Sequence, residues 1–291
     1  MPRPAAIGLF AFSFLGAAVL ASPVATAETF NTCTGTISSL PAIIGTQGIW
    51  CLDGDLQTSA TSGDAILITT NNVTIDCNGY KLGGLAGGVG TLTQGISAVN
   101  RRNATVRNCN IRGFFRGIAF TGTPTGGHVV EDNRFDGNLF TGVLVEGDGS
   151  VVRGNRIFDT GGSTVLPAAL GLSTRYSVDI IDNTVSGVAA TAATNGSAFG
   201  MITSENPDGQ IAGNRVRGVA RSGSGIAFGI YNVGAGRITL RRNDLVGDGS
   251  SGSIGMQCNA GSEPITTDIA ISLFVTGIDD CNDDGGNVVN P

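Results

Sequence analysis

The chain is poor in charge and in titratable groups. Its 291 residues hold one His, one Lys and one Trp, and only 14% are charged. A lone His (His128) cannot build a His-rich metal centre, and neither a metal nor a cofactor is expected. A net charge of −6 lacks the basic field with which nucleic-acid binders displace counterions, so nucleic acid is not an expected partner. Disorder is excluded too, because 41% of the residues are hydrophobic and mean hydropathy is +0.19. No apolar run reaches the ~20 residues of a membrane span. The longest, Ile7 to Ala21, follows Arg3 and precedes Ala25-Thr26-Ala27, which reads residues 1–27 as a secretory signal peptide and the mature chain as exported, whether periplasmic, extracellular or surface-associated.

What is abundant is glycine, 46 residues, together with six cysteines, all beyond the leader. An even count in an exported chain favours disulfides. Fifteen pairings are open to six cysteines. Position along the chain favours three groups: Cys33 with Cys51, Cys77 with Cys109, and Cys258 with Cys281.

Two phrases recur along the chain. One is an aliphatic residue, two variable residues, Asn, a variable residue and an apolar residue, as in Val130 to Gly137, Ile180 to Gly187 and Ile211 to Gly218. Its Asn position falls at Asn78, Cys109, Asn133, Asn155, Asn183, Asn214 and Asn243, spaced 22 to 31 residues apart. The other is Gly followed by an apolar residue, at Gly95, Gly117, Gly142, Gly171, Gly200, Gly229 and Gly255. Neither has helical spacing. Short alternating runs punctuated by Gly, Asn and Asp read as strands and tight turns. A unit this short cannot bury its apolar side alone, so units stack into a parallel β-helix. The recurring Asn suits a corner at positive φ, and stacked amides bond coil to coil. Coils ~4.8 Å apart also lie within disulfide reach, which suits Cys77 with Cys109.

The opening of the mature chain carries a resemblance. Ile37-Ser38-Ser39-Leu40-Pro41, Gly48-Ile49-Trp50-Cys51-Leu52 and Val73-Thr74-Ile75-Asp76-Cys77-Asn78-Gly79 are similar to the start of exported bacterial right-handed parallel β-helix proteins of the pectate-lyase-like superfamily. The resemblance implies an all-β right-handed solenoid, and with the repeat it gives about eight coils over 63–260 between an N-terminal cap over 28–62 and a C-terminal coil and cap over 261–291. Caps are expected because a bare solenoid end exposes core and strand edges. The resemblance implies little chemistry, because the superfamily spans lyases, hydrolases, esterases and adhesins.

Related carbohydrate-active proteins use the sheet that begins Gly-apolar as their groove. Strict alternation puts Ser97, Ala119, Leu144, Ser173, Ile202, Tyr231 and Gln257 outward there, with Val99, Thr121, Glu146, Arg175, Ser204, Val233 and Asn259 two residues on. From these columns Glu146, Arg175 and Tyr231 are the candidate substrate-binding residues: a sugar ring stacks on Tyr231 while Arg175 holds a carboxylate. The competing reading is a surface ion pair worth under ~1 kcal/mol beside an ordinary tyrosine.

Other chemistries find less support. A glycosidase needs two carboxylates on one face, and the columns offer Glu146 alone. The polygalacturonase motifs N-T-D, G-H-G and R-I-K have no match, so no catalytic residue is assigned. Asp279-Asp280 and Asp283-Asp284 read as a solvated cap, with a weak cation site as the alternative. Asp76, Arg107, Glu131 and Arg153 alternate in sign from coil to coil, which favours stacking. Arg134, Arg156 and Arg215, with Lys81, Arg112 and Arg217, form a partly basic strip interspersed with Asp136 and Asp244. His128 reads as a turn or capping residue. The function expected is a secreted or surface protein, monomeric, contacting an extended polysaccharide or cell-surface glycan. A divergent lyase or glycoside hydrolase is the alternative, and a structural or adhesive envelope protein the third.

Overall fold

The computed structural model describes residues 33–192, 195–205, 207–259 and 264–290. The leader read into residues 1–27 lies outside them. Each coil holds three short strands, as in Thr141–Glu146, Ser150–Arg153 and Arg156–Gly161. Equivalent strands of successive coils pair in parallel, giving three sheets of ten, eleven and ten strands. The ten-stranded sheet that contains the strands begun by the Gly-apolar phrase is the glycine sheet. The eleven-stranded sheet that contains the strands leading into the recurring Asn is the ladder sheet, and the ten-stranded sheet that contains those leaving it is the third sheet. Among the described residues the one helical segment is a 3-10 turn, Leu85–Gly87.

The chain makes about nine turns, the expected right-handed solenoid. Pairing extends to the ends, where Gly35–Ile37 and Ala42–Ile44 already join sheets, and where Asn282–Asp283 and Val288–Asn290 still do. These segments lack the Asn phrase, so a count of phrases misses them. Inside, apolar side chains stack in files: Ile66, Ile96, Ile118, Val143, Leu172, Met201 and Ile230 are all fully buried and in register.

The Asn ladder is present, but its residues play a different part from the one alternation and turn chemistry suggest. Asn133, Asn155, Asn183, Asn214 and Asn243 are buried and point inward, and the positive φ belongs to the residue before each: Asp132, Gly154, Asp182, Gly213 and Arg242. Each ladder Oδ1 accepts the backbone N–H of the preceding coil's ladder residue, as Asn183 Oδ1 does from Asn155 at 3.0 Å. Each Nδ2 donates to a backbone carbonyl of the preceding coil, Asn183 to Val152 at 2.9 Å. The side chain thus satisfies the corner's backbone polar groups, which burial would otherwise leave unpaired. Asn78 is not on the ladder: it is exposed at φ 51, and Cys77 turns inward instead. At the far end Ile269 interrupts the ladder, and Asn287 resumes it by accepting from Ile269 N–H at 2.9 Å.

The second phrase has a steric cause. The glycines of the Gly-apolar file have ordinary φ, yet a Cβ on Gly117, Gly142, Gly171 or Gly200 would lie 2.5 to 2.6 Å from the carbonyl oxygen of the next coil's glycine. The backbone closes over itself at this file, and only a hydrogen side chain fits. All three disulfides join the cysteines grouped by position, with Cα separations of 5.7 Å for Cys33–Cys51, 4.7 Å for Cys77–Cys109 and 5.1 Å for Cys258–Cys281.

Candidate functional site

The glycine file also sets which side chains face outward. The strand register steps past each glycine, pairing Arg116 with Thr141 and then Ile118 with Val143. Outward residues on either side of the glycine are therefore three apart, not two. A third outward column results, which strict alternation had turned inward: Asp64, Gln94, Arg116, Thr141, Leu170, Phe199, Phe228 and Ile254. The column after the glycine is as expected in register, but Ser97 and Ala119 are only 1% and 2% exposed. Their short side chains do not reach past longer neighbours in the flanking columns.

Glu146 and Arg175 sit opposite one another on adjacent coils and pair, Arg175 Nη1 to Glu146 Oε1 at 3.2 Å. Glu146 Oε2 accepts the backbone N–H of Gly122 at 3.0 Å, and the carboxylate is nearly buried while half of the Arg175 side chain is exposed. Both Glu146 oxygens are therefore engaged, and the guanidinium is the group offered to solvent. Arg116, two coils before Arg175, stands on the same face at the start of its strand, opposite Thr141 and five positions along from the Glu146 column. Burial draws its guanidinium below the ordinary arginine pKa, Arg175 lowers it further, and Glu146 opposes both. Its Cζ lies 5.1 Å from the Phe115 ring and 5.5 Å from the Phe140 ring, and those rings stack at 5.0 Å. Its Nε is buried without a hydrogen-bond partner.

Tyr231 does not join these groups. It stacks on Phe228 at 4.6 Å and near Phe199 at 6.0 Å, and Phe199 stacks on Phe228 at 5.1 Å. Phe228 itself is buried beneath its neighbours, and Phe199 and Tyr231, with half-buried Leu144, Leu170, Ile202 and Ile254, present an apolar terrace on the same face, following the guanidiniums along the stacking direction. One rim of the face is raised by two turns from the third sheet. Thr164 donates through both N–H and Oγ1 to the Val89 carbonyl, at 3.1 and 3.3 Å, across two intervening coils. Leu85, Val89, Leu92, Val165 and Leu166 stand exposed along that rim.

Reasoning from sequence thus reached Glu146, Arg175 and Tyr231 but missed Arg116, Phe115, Phe140, Phe199 and Phe228. The signal for three of these five was present as the position immediately before each glycine.

His128 is fully buried. Its Nδ1 accepts the Ala104 N–H at 3.2 Å, its Nε2 meets Thr125 Oγ1 at 2.8 Å, and its ring lies against Phe120 at 4.7 Å. Burial pushes its pKa down to about 4, against smaller opposing effects of backbone hydrogen bonds with Ala104 and Arg101. It holds a turn beneath the surface and is distant in role from any proton transfer at neutral pH. Asp279 accepts from Gln257 Nε2 at 2.9 Å and Asp283 from Gly285 N–H at 2.8 Å. Among the described residues no group of three or more acidic, His or Cys side chains is placed to hold a metal ion. No helix among them is long and apolar enough to cross a membrane.

Three parallel sheets closed by an Asn corner and a glycine file define the class of protein, a parallel β-helix. The family follows from comparison with known sequences. Residues 61–261 match the model of the right handed beta helix region, and the chain belongs to that family. No functionally curated protein matches the chain. Among solved structures, a mutant tailspike protein of E. coli bacteriophage HK620 in complex with a pentasaccharide superposes with TM-score 0.53 and 13% identity, over 88% of this chain and 60% of the tailspike. A double mutant of that tailspike gives 0.52 and 11%, over 89% and 60%. The A-module of the Azotobacter vinelandii mannuronan C-5 epimerase gives 0.48 and 12%, over 86% and 83%. The chain therefore spans about 60% of the tailspikes it resembles, and at these identities the likeness is one of fold.

Proposed function

We propose that this protein is an exported β-helix that binds an extended, acidic polysaccharide along its glycine sheet. The observation that carries the reading is the division of one continuous face: Arg116 and Arg175 at one end, and the Phe199, Phe228 and Tyr231 terrace at the other. A guanidinium offered to solvent suits a uronate or other oxyanion, and an aromatic terrace suits the apolar faces of sugar rings. Both lie along the stacking axis, where an extended chain would run. The three disulfides support export, since such bonds persist in oxidising compartments. The pentasaccharide held by the tailspike is a property of that protein, and it supports the reading only as a precedent for the fold.

A lyase is the second reading, favoured by one observation. Arg116 is partly desolvated, with its pKa drawn down and an unpartnered Nε, as a base acting on an acidic sugar would require. A two-carboxylate glycosidase is less well supported. Asp64 and Asp279, the other carboxylates of the outward columns, lie three and five coils from Glu146. At ~4.8 Å per coil both exceed the 5 to 9.5 Å that such chemistry spans.

The test is a panel of acidic and neutral oligosaccharides, measured by calorimetry for binding and by unsaturated-product absorbance and reducing ends for turnover. Binding of acidic members that weakens about tenfold in Tyr231→Ala and in Arg175→Gln supports the binding reading. Turnover lost in Arg116→Gln transfers the assignment to the lyase. Absence of both across the panel overturns the proposal and leaves a structural or adhesive role.

A further inference from the structure

Two concavities lie away from the glycine sheet, at the corner where the ladder sheet passes into the third sheet. A crevice of about 630 Å³ is lined by Asn108, Asp132, Arg134 and Arg156 among others. A second, of about 360 Å³, shares Gly79, Asn110 and Arg134 with it and adds Lys81, Arg112 and Asp136. Together they form one trough running along the first coils.

The register makes this trough electrostatically unusual. Lys81, Asn110, Arg134 and Arg156 form one column on consecutive coils, so Arg134 and Arg156 stand directly opposite each other. Like charges opposed across a strand pair are destabilising, and elsewhere this protein avoids them: Asp76, Arg107, Glu131 and Arg153 alternate in sign along the ladder sheet. Some of the trough's charge is compensated. Lys81 pairs with Asp55 at 3.0 Å, and Arg134 pairs with Asp136 at 3.6 Å while lying 4.6 Å over the Phe158 ring. Two guanidiniums remain. Arg112 and Arg156 have no ion-pair partner among the described residues, and Arg112 Nε is buried with no hydrogen-bond acceptor. Asp132 is the remaining carboxylate of the lining, so four cations face three carboxylates on a protein whose net charge is −6.

We propose that this corner trough is a second binding site, for an oxyanion carried by a sugar, with Arg112 and Arg156 supplying the contacts and the Arg134 ring stack fixing the guanidinium between them. An anionic group there relieves the Arg134–Arg156 opposition, and the Arg112 guanidinium in the adjoining crevice adds a further cation for an extended ligand. Carboxylate and sulfate share this chemistry. The inference does not need the glycine-sheet reading: an acidic glycan can engage either surface alone.

The experiment is calorimetric titration of the full chain with three probes: a polyuronate oligomer, a sulfated oligosaccharide and inorganic sulfate. The proteins are the parent, Arg112→Gln/Arg156→Gln, Arg156→Lys and Arg175→Gln. Both Gln positions are on the third sheet's outer side, and unchanged melting temperature verifies folding. The double variant is expected to weaken at least one sugar-borne anion 10- to 100-fold and to flatten the salt dependence of its binding, while Arg156→Lys retains part of the affinity. Which polymer responds tells carboxylate from sulfate, and parity of inorganic sulfate with the oligosaccharide would overturn the sugar-borne part of the proposal. Unchanged affinity in a folded double variant overturns the site. Loss confined to Arg175→Gln does so as well, and leaves the glycine-sheet reading standing; loss confined to the double variant does the reverse.

Discussion

Replacing Asn183 by Leu is the sharpest test of how this solenoid is held together. The side chain is buried, and its Oδ1 accepts both the backbone N–H and the Nδ2 of Asn155 at 3.0 Å. Its Nδ2 donates to Val152 and Ile181 carbonyls at 2.9 and 3.0 Å and to Asn214 Oδ1 at 3.1 Å. Leu fills a similar volume but makes none of these bonds. The Asn155 N–H loses its acceptor inside the core, at a cost of about 1 to 3 kcal/mol. Loss of the carbonyl partners brings the expected total to roughly 2 to 5 kcal/mol, more than added apolar area returns. Urea unfolding reads the total as a lower midpoint, and amide exchange reads the cause, as faster exchange at Asn155 than at Asn243. The converse substitution adds discrimination. Ile269→Asn restores a missing rung and costs less than Ile271→Asn, which buries an amide with no ladder partner. If Asn183→Leu stays within 0.5 kcal/mol of the parent with Asn155 still protected, the ladder is a by-product of packing and the reasoning fails.

Four further outcomes follow. Gly200→Ala sets a Cβ 2.4 Å from Val216 Cγ1 and 2.6 Å from the Gly229 carbonyl, so it destabilises by more than 2 kcal/mol in thermal unfolding, whereas Gly54→Ala, with open space around it, is within about 0.5. Removing Cys77–Cys109 with a double Ser variant frees a loop of separation 32 and lowers stability by roughly 3 to 4 kcal/mol by chain entropy, seen as an earlier urea midpoint under non-reducing conditions. His128, held down at about 4 when folded, binds its proton more readily unfolded; stability is therefore full above pH 6.5, falls as pH drops towards 4, and loses about 3 kcal/mol across that window. His128→Gln should flatten that part of the pH–stability curve, and an unchanged slope would remove His128 as its cause. Phe199→Ala thins the aromatic terrace and weakens acidic oligosaccharide binding about tenfold by calorimetry with little change in melting temperature.

The repeat was legible because each of its two markers answers a demand that recurs on every coil. Glycine recurs where the next coil's carbonyl leaves no room for Cβ, and Asn where buried backbone groups need one side chain that both donates and accepts. What each marker does to its neighbours was not legible. Positive φ moved to the residue before the Asn, because the Asn itself is spent on the core; Asp132 and Asp182 take the left-handed corner instead. The glycine slips the alternation by one residue, so Arg116, Phe199 and Phe228 emerge on the face where a period of two buries them. The ends carry the phrase less clearly for a related reason: at Ile269 an apolar side chain stands in place of the Asn, and pairing continues without the signal.

The same slip explains why the two candidate surfaces differ in kind. On the glycine sheet three outward columns stand side by side, wide enough for rings to stack flat on one another, and the charge there lies in Arg116 and in the Glu146–Arg175 pair. In the first coils the third sheet's strands leave the Asn corner as short segments such as Asn110–Arg112 and Arg134–Asp136, and their cations are only partly matched. Binding to the first surface therefore combines apolar contact, which salt does not screen, with the Arg175 guanidinium, while binding at the corner is mostly electrostatic and screens over a Debye length of ~8 Å at physiological ionic strength. A polyanion whose salt dependence is flattened by Arg112→Gln/Arg156→Gln is engaging the corner; one whose salt dependence is flattened by Arg175→Gln and whose affinity falls in Phe199→Ala is lying on the glycine sheet.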